Sequence, residues 1–147
     1  FRAMQERPGD VAFNCQDVLK RMGGEVLPHA MREIRVWDTG FSGKALTRRR
    51  LFRAQLVAVI GEMHAPGSPA ALTEILQGDP WETARRKAAF YLGESGDPLA
   101  VPALIQALRR EKSEDLRATL LGALRRSAGR DLGSDPDVWE AWWKKRS

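Results

Sequence analysis

The sequence predicts an all-α fold, an α-solenoid of stacked antiparallel helix pairs, and three observations carry that prediction. The first is self-similarity. The stretch 53–76 moved forward by 32 residues lands on 85–108 with seven identities in 24 positions: Arg53/Arg85, Gly61/Gly93, Glu62/Glu94, Pro66/Pro98, Ala71/Ala103, Leu72/Leu104 and Leu76/Leu108. A second step brings Arg85 onto Arg117 and Leu92 onto Leu124. A period of this length marks an array in which one helical unit cannot bury its apolar face without a neighbour. The second observation is punctuation: Ser68-Pro69, Asp79-Pro80, Asp97-Pro98 and Asp135-Pro136 each set a short polar side chain ahead of a proline. Such a side chain accepts orphan N–H groups at a helix start, and proline just inside loses no hydrogen bond. The third is apolar spacing at the helical period, in Phe52, Leu56, Val59, Ile60 and Met63, then Ala84, Ala88, Ala89 and Leu92, then Leu116, Leu120, Leu121 and Leu124.

Taken in order, helices are predicted at about 11–22, 25–36, 48–64, 69–77, 80–94, 98–111, 113–127 and 136–145. Glu82, three residues after Asp79, adds the acidic half of a capping arrangement. Leu72/Leu76 and Leu104/Leu108 are matching stripes of the alternate helices, and the small alanines of 80–94 allow close approach. Residues 1–10 read as a tail, 11–130 as the repeat domain and 131–147 as a closing segment. Between 37 and 47 the helical period lapses across two glycines, a long loop of the kind that often carries function. The last helix holds Trp139 and Trp143 four residues apart on one face, which suits a cap over the open end of a stack.

Residues 79–85, Asp-Pro-Trp-Glu-Thr-Ala-Arg, followed by Ala88-Ala89 and Leu92-Gly93, resemble the turn and second helix of a HEAT repeat. Residues 101–108, Val-Pro-Ala-Leu-Ile-Gln-Ala-Leu, resemble its first helix. The 32-residue period is similar to that of short bacterial HEAT-like repeats, of the kind also found in phycobilisome lyases. The likeness covers 48–128, with a fainter echo at 18–34 in Leu19, Met22-Gly23 and Val26-Leu27-Pro28. It implies that the second helices, 48–64, 80–94 and 113–127, line an inner face.

Arg53, Arg85 and Arg117 project on the side of the apolar stripe, where a structural ladder would pair them with carboxylates or carbonyls of adjacent turns, such as Asp79 or Asp115. The opposite side gives three rows: Gln55–Lys87–Thr119, Ala58–Phe90–Gly122 and Glu62–Glu94–Arg126. Phe90, standing between small residues and rimmed by mixed charge, has the look of a protein-binding anchor. The candidate partner-binding residues are therefore Gln55, Lys87, Phe90, Glu94 and Arg126.

Composition is that of an ordinary water-soluble domain, with 43% apolar and 29% charged residues over 147 positions. No apolar run approaches the ~20 residues of a membrane span. A net charge of +5 permits an acidic partner. The lone Cys15 rules out an intramolecular disulfide framework and fits a cytoplasmic location. The chain opens on Phe1, so it reads as a trimmed piece or part of a longer protein, and a periplasmic location stays open.

No catalytic constellation stands out in the sequence. His29, His64 and Cys15 make no metal-ligand spacing. Residues 40–44, Gly-Phe-Ser-Gly-Lys, fail as a phosphate loop because Asp38 stands at the first glycine position and Ala45 replaces Ser/Thr. They fail as a nucleophile elbow because Lys44 stands where glycine is needed. Asp131, Asp135 and Asp137 lack the glycine and terminal glutamate of a calcium loop. No cofactor, metal or enzymatic activity is expected. The leading reading is a non-catalytic protein-interaction or scaffold module, a fragment of or accessory to a larger bacterial assembly. The alternative is nucleic-acid binding through Arg48-Arg49-Arg50, Arg85-Arg86-Lys87 and Arg125-Arg126, against which the glutamates at 62 and 94 weigh. Assistance to a tetrapyrrole-attaching lyase is implied by the resemblance alone, and no residue reveals a bilin site.

Overall fold

A computed structural model describes residues 25–146, all of whose regular structure is helical. The expected tail 1–10, the helix at 11–22, Cys15 and the echo at Leu19 and Met22-Gly23 lie outside the described residues. The helices are α1 (Leu27–Arg35), α2 (Gly43–Met63), α3 (Ser68–Gly78), α4 (Glu82–Ser95), α5 (Val101–Arg110), α6 (Glu114–Ala128) and α7 (Pro136–Arg146), with a 3₁₀ turn at Pro98–Ala100 before α5. The chain divides within α3 into two compact units, one up to Ala71 and one from Leu72 onward.

In the first unit α1 packs on α2. Ala30, Met31 and Ile34 of α1 are buried, as are Phe52, Leu56, Val57, Val59 and Ile60 of α2. In the second unit α6 packs against both α4 and α5, and α7 lies on α5. Ala84, Ala88, Ala89 and Leu92 of α4 are buried, with Leu116, Leu120, Ala123 and Leu124 of α6. Small side chains bring α4 and α6 close: a Cβ built on Gly93 would stand 2.6 Å from Ala123 Cα. No methyl group fits there. Gly122, one position earlier on α6, would meet nothing within 4 Å.

Helix starts follow the polar-proline signals in part. Asp97 accepts from Leu99 N–H at 2.9 Å, but the turn it caps is 3₁₀, and α5 proper begins at Val101 with Pro102 in its first turn. Asp79 does not cap a helix. Its Oδ1 takes the N–H of Trp81 and its carbonyl takes the guanidinium of Arg85, so residues 79–81 become a bridge and α4 starts at Glu82. Ser113 caps α6 by accepting from Leu116 N–H. His64 and Gly96, one 32-residue repeat apart, both end their helices in the left-handed region, at φ 49° and 64°. Glycine takes that conformation freely, whereas histidine takes it at a cost of roughly 1–2 kcal/mol.

The loop expected at 37–47 is shorter than its sequence implied, because α2 begins at Gly43 and absorbs residues 43–47. Leu46 N–H already bonds the Ser42 carbonyl, and the good helix formers Lys44, Ala45 and Leu46 offer no barrier to that start. What remains between α1 and α2 is the segment 36–42.

Candidate functional site

The register arginines occupy equivalent positions on α2, α4 and α6 but meet different partners. Arg53 is fully buried and donates to Asp38 Oδ1 at 2.7 Å. Arg85 donates to Glu111 Oε1 and to the Asp79 carbonyl, both at 2.8 Å. Arg117 donates to the carbonyls of Leu108 and Glu111, at 2.6 and 3.2 Å. Asp38 and Glu111 thus take the carboxylate roles that the sequence pointed toward Asp79 and Asp115. Asp79 takes part through its main-chain carbonyl.

The 36–42 segment is tied to α2 by three arginines, Arg49, Arg50 and Arg53, that fall within little more than one helical turn. Arg49, although charged, is buried: Nε bonds the Trp37 carbonyl at 3.0 Å, Nη1 meets Glu33 at 3.3 Å and Nη2 bonds the Glu33 carbonyl. Its guanidinium lies over the rings of Phe41 and Phe52, 5.5 Å from each centroid. Arg50 bonds the second oxygen of Asp38 at 3.0 Å. Burial alone would raise the Asp38 carboxyl, but hydrogen bonds and charge from Arg50 and Arg53 outweigh it and hold the group below the ordinary carboxylate value. Of Arg48-Arg49-Arg50, then, only Arg48 is free of this network and exposed. The other basic clusters are similarly engaged, Arg85 by Glu111, Arg125 by Asp131 and Arg126 by Glu94.

On the α4–α6 surface Phe90 is 44% exposed, an uncommon state for so large an apolar side chain in a packed pair of helices. The guanidinium of Arg126 stands over its ring, 5.7 Å from the centroid, and donates to Glu94 at 2.6 Å. Glu94 and Arg126 are 32 residues apart, so one repeat step is realised here as a contact between neighbouring helices. Tyr91 meets Phe90 edge-on at 5.3 Å. Lys87, one turn before Phe90, is half-buried. Gln55, the repeat-equivalent of Lys87, lies half-buried on α2 in the other unit. The α4–α6 patch therefore comprises an exposed ring, a cation above it and a carboxylate fixing that cation.

The C-terminal helix uses its tryptophans unequally. Trp139 is fully buried and donates its indole N–H to the Gly133 carbonyl at 2.9 Å, which satisfies its one polar atom. Trp143 is half-buried. Arg109 of α5 bridges to Asp137 at 2.6 Å and to Glu140, pinning α7 from outside. Asp131 accepts from Gly133 N–H within its own loop, and Asp135 accepts from Asp137 N–H in the first turn of α7. Among the described residues no group of three or more His, Cys, Asp or Glu is placed to hold a metal ion. His29 and His64 are both exposed and lie on separate elements.

Helix pairs in a 32-residue register, locked by arginines at one repeated position, define a class of helical repeat. The chain belongs to the HEAT-repeat family: the family model for HEAT repeats matches residues 44–125, more than half of the sequence. No curated protein and no solved structure matches it. HEAT repeats are typically non-catalytic and generally mediate protein–protein interaction or scaffolding. No described helix is long and apolar enough to cross a membrane.

Proposed function

We propose that this chain is a non-catalytic interaction module that docks a segment of a partner protein on the α4–α6 surface. The observation that carries the reading is Phe90, exposed yet roofed by Arg126, which Glu94 holds in place. Aromatic and arginine side chains supply most hot spots of protein interfaces, and a rim of mixed charge around them excludes water and selects the partner. Lys87, Glu94 and Arg126 form that rim. Gln55, at the equivalent repeat position on α2, is a candidate contact of the same kind within its own unit. The short 32-residue period supports placing the chain among bacterial HEAT-like repeats of the phycobilisome-lyase type, as a fragment of or accessory to a larger cytoplasmic assembly.

The test begins with a photo-crosslinking phenylalanine analogue at position 90 of the full chain, with the exposed position 47 on α2 as control. A protein captured at 90 and not at 47 is then titrated against the parent and Phe90→Ala. Binding should weaken by about 2 kcal/mol or more while the melting temperature stays near that of the parent. Should Phe90→Ala instead destabilise the domain by about 3–5 kcal/mol, the ring is a core residue and the reading falls.

A further inference from the structure

A cleft of about 470 Å³ opens beside the C-terminal ends of α6 and α7, with Ser127, Arg130, Trp142, Lys145 and Arg146 among its lining residues. Its volume lies in the range of ligand-binding pockets of roughly 300–1,000 Å³. Three of these five residues are cations and none is an acid. The guanidiniums of Arg130 and Arg146 both stand over the Trp142 ring, 5.4 and 5.6 Å from its centroid. Ser127 is buried, and its hydroxyl has no hydrogen-bond partner among the described residues.

Cations gather at helix C-termini for a structural reason, so that explanation is weighed first. Each helix end offers roughly half a negative charge. The ends of α6 and α7 together supply about −1 against three full positive charges, leaving an excess of about two. The neighbouring cations have been neutralised by side chains: Arg125 by Asp131, Arg126 by Glu94, Arg109 by Asp137 and Glu140, Lys144 by Glu140. Among the described residues Arg130, Lys145 and Arg146 have no such carboxylate. Unspent charge is concentrated in one concavity.

We infer that this cleft binds an acidic peptide segment of a partner protein, its carboxylates taken by Arg130, Lys145 and Arg146. Cation–π attraction holds Arg130 over Trp142 and Arg146 over both Trp142 and Trp143, and so orders donors that suit a carboxylate. A nucleic-acid strand fits the arrangement less well. It asks for cations spaced along its length and an open aromatic face for stacking, whereas here the cations converge and Trp142 already carries two of them. The site shares no residue with the Phe90 patch, so either assignment can fail alone.

Fluorescein-labelled hexaglutamate, titrated into the full chain by fluorescence anisotropy, tests the assignment. Arg130→Glu and Arg146→Glu should each weaken binding by about tenfold or more, the effect of losing one charge-assisted hydrogen bond. Trp142→Ala should weaken it less, and Trp142→Phe less again. Arg48→Glu, Lys112→Glu and Phe90→Ala should leave it unchanged. Both arginines are exposed, so thermal melts of the charge reversals should match the parent. Absence of binding, or binding that Arg48→Glu weakens as much as Arg130→Glu, would overturn the assignment. Tighter binding of oligothymidylate lost in the same variants would transfer the cleft to nucleic acid, and displacement by equimolar inorganic phosphate would reduce it to a small-anion site.

Discussion

In the first unit the junction of α1 with α2 is closed by guanidinium groups, Arg49 and Arg53 being buried against Glu33, the Trp37 carbonyl and Asp38. In the second, α4 and α6 approach until Gly93 lies against the backbone of Ala123, and the register arginines Arg85 and Arg117 sit at the helix ends rather than in the contact. Both units use the same repeated arginine. In one it fastens an irregular segment, and in the other it fastens the turn between regular helices. A repeat position therefore preserves a chemical capacity, a forked donor on the second helix, mid-helix on α2 and in the first turn of α4 and α6, while the local chain decides what it holds. The first unit should respond to charge and pH, the second to volume.

The largest expected effect falls in the second unit. Trp139→Ala should cost about 3–5 kcal/mol, the range for truncating a buried Trp, with the Gly133 carbonyl also losing its donor. Chemical denaturation read by far-UV circular dichroism measures it, and the loss should be the same at neutral and acid pH. A variant as stable as the parent would remove α7 from the load-carrying structure.

Next comes Asp38→Ala, which takes a carboxylate partner from buried Arg53 and should destabilise the first unit by about 2–3 kcal/mol. The same contact predicts an acid sensitivity in the parent. Because the folded pKa of Asp38 lies below its ordinary value, the stabilisation is fully present above the unfolded pKa of about 3.9 and is lost as pH falls through the folded value. Hydrogen exchange at amides of 36–56 should accelerate in that window in the parent, and Asp38→Ala should lack the step. Equal acid responses in the two proteins would break the distinction drawn between the units.

The smallest effect is the sharpest on geometry. Gly93→Ala adds a methyl 2.6 Å from Ala123 Cα, so overpacking of about 1–3 kcal/mol should outweigh a helix-propensity gain of up to about 1 kcal/mol. Gly122→Ala, which meets only open space, should instead stabilise by about 0.5–1 kcal/mol. Thermal melts of the pair decide it. Two changes of the same sign would mean that α4 and α6 are spaced differently from this description.

Helix positions were legible because they repeat. The 32-residue register and the apolar stripes place α3 to α6 and the end of α2 to within a few residues; departures occur where local polar groups intervene, as at Asp79, and at the start of α2, which extends back to Gly43. Irregular backbone has no period to read, which is why Asp38 could be examined as a failed phosphate-loop position yet not recognised as the partner of Arg53, 15 residues on. Arg48-Arg49-Arg50 was misleading for a simpler reason. At 100° per residue three consecutive side chains fan across 200°, so they do not share one face, and here Arg49 turns inward. On the α4–α6 surface the sequence placed Glu94 and Arg126 in one row, but the guanidinium over Phe90 depends on rotamers no pattern encodes. The cleft at Trp142 was still less visible, since its cations come from a loop and a later helix.

Trp139 has a consequence for anyone watching this molecule in solution. The chain carries five tryptophans, and this one alone is wholly shut away from water, its N–H committed to Gly133. Its fluorescence should therefore lie to the blue of the others and move to the red when α7 lifts from α5. Replacing the remaining four with phenylalanine would turn α7 into a built-in optical gauge, reporting its separation from α5 without any attached dye.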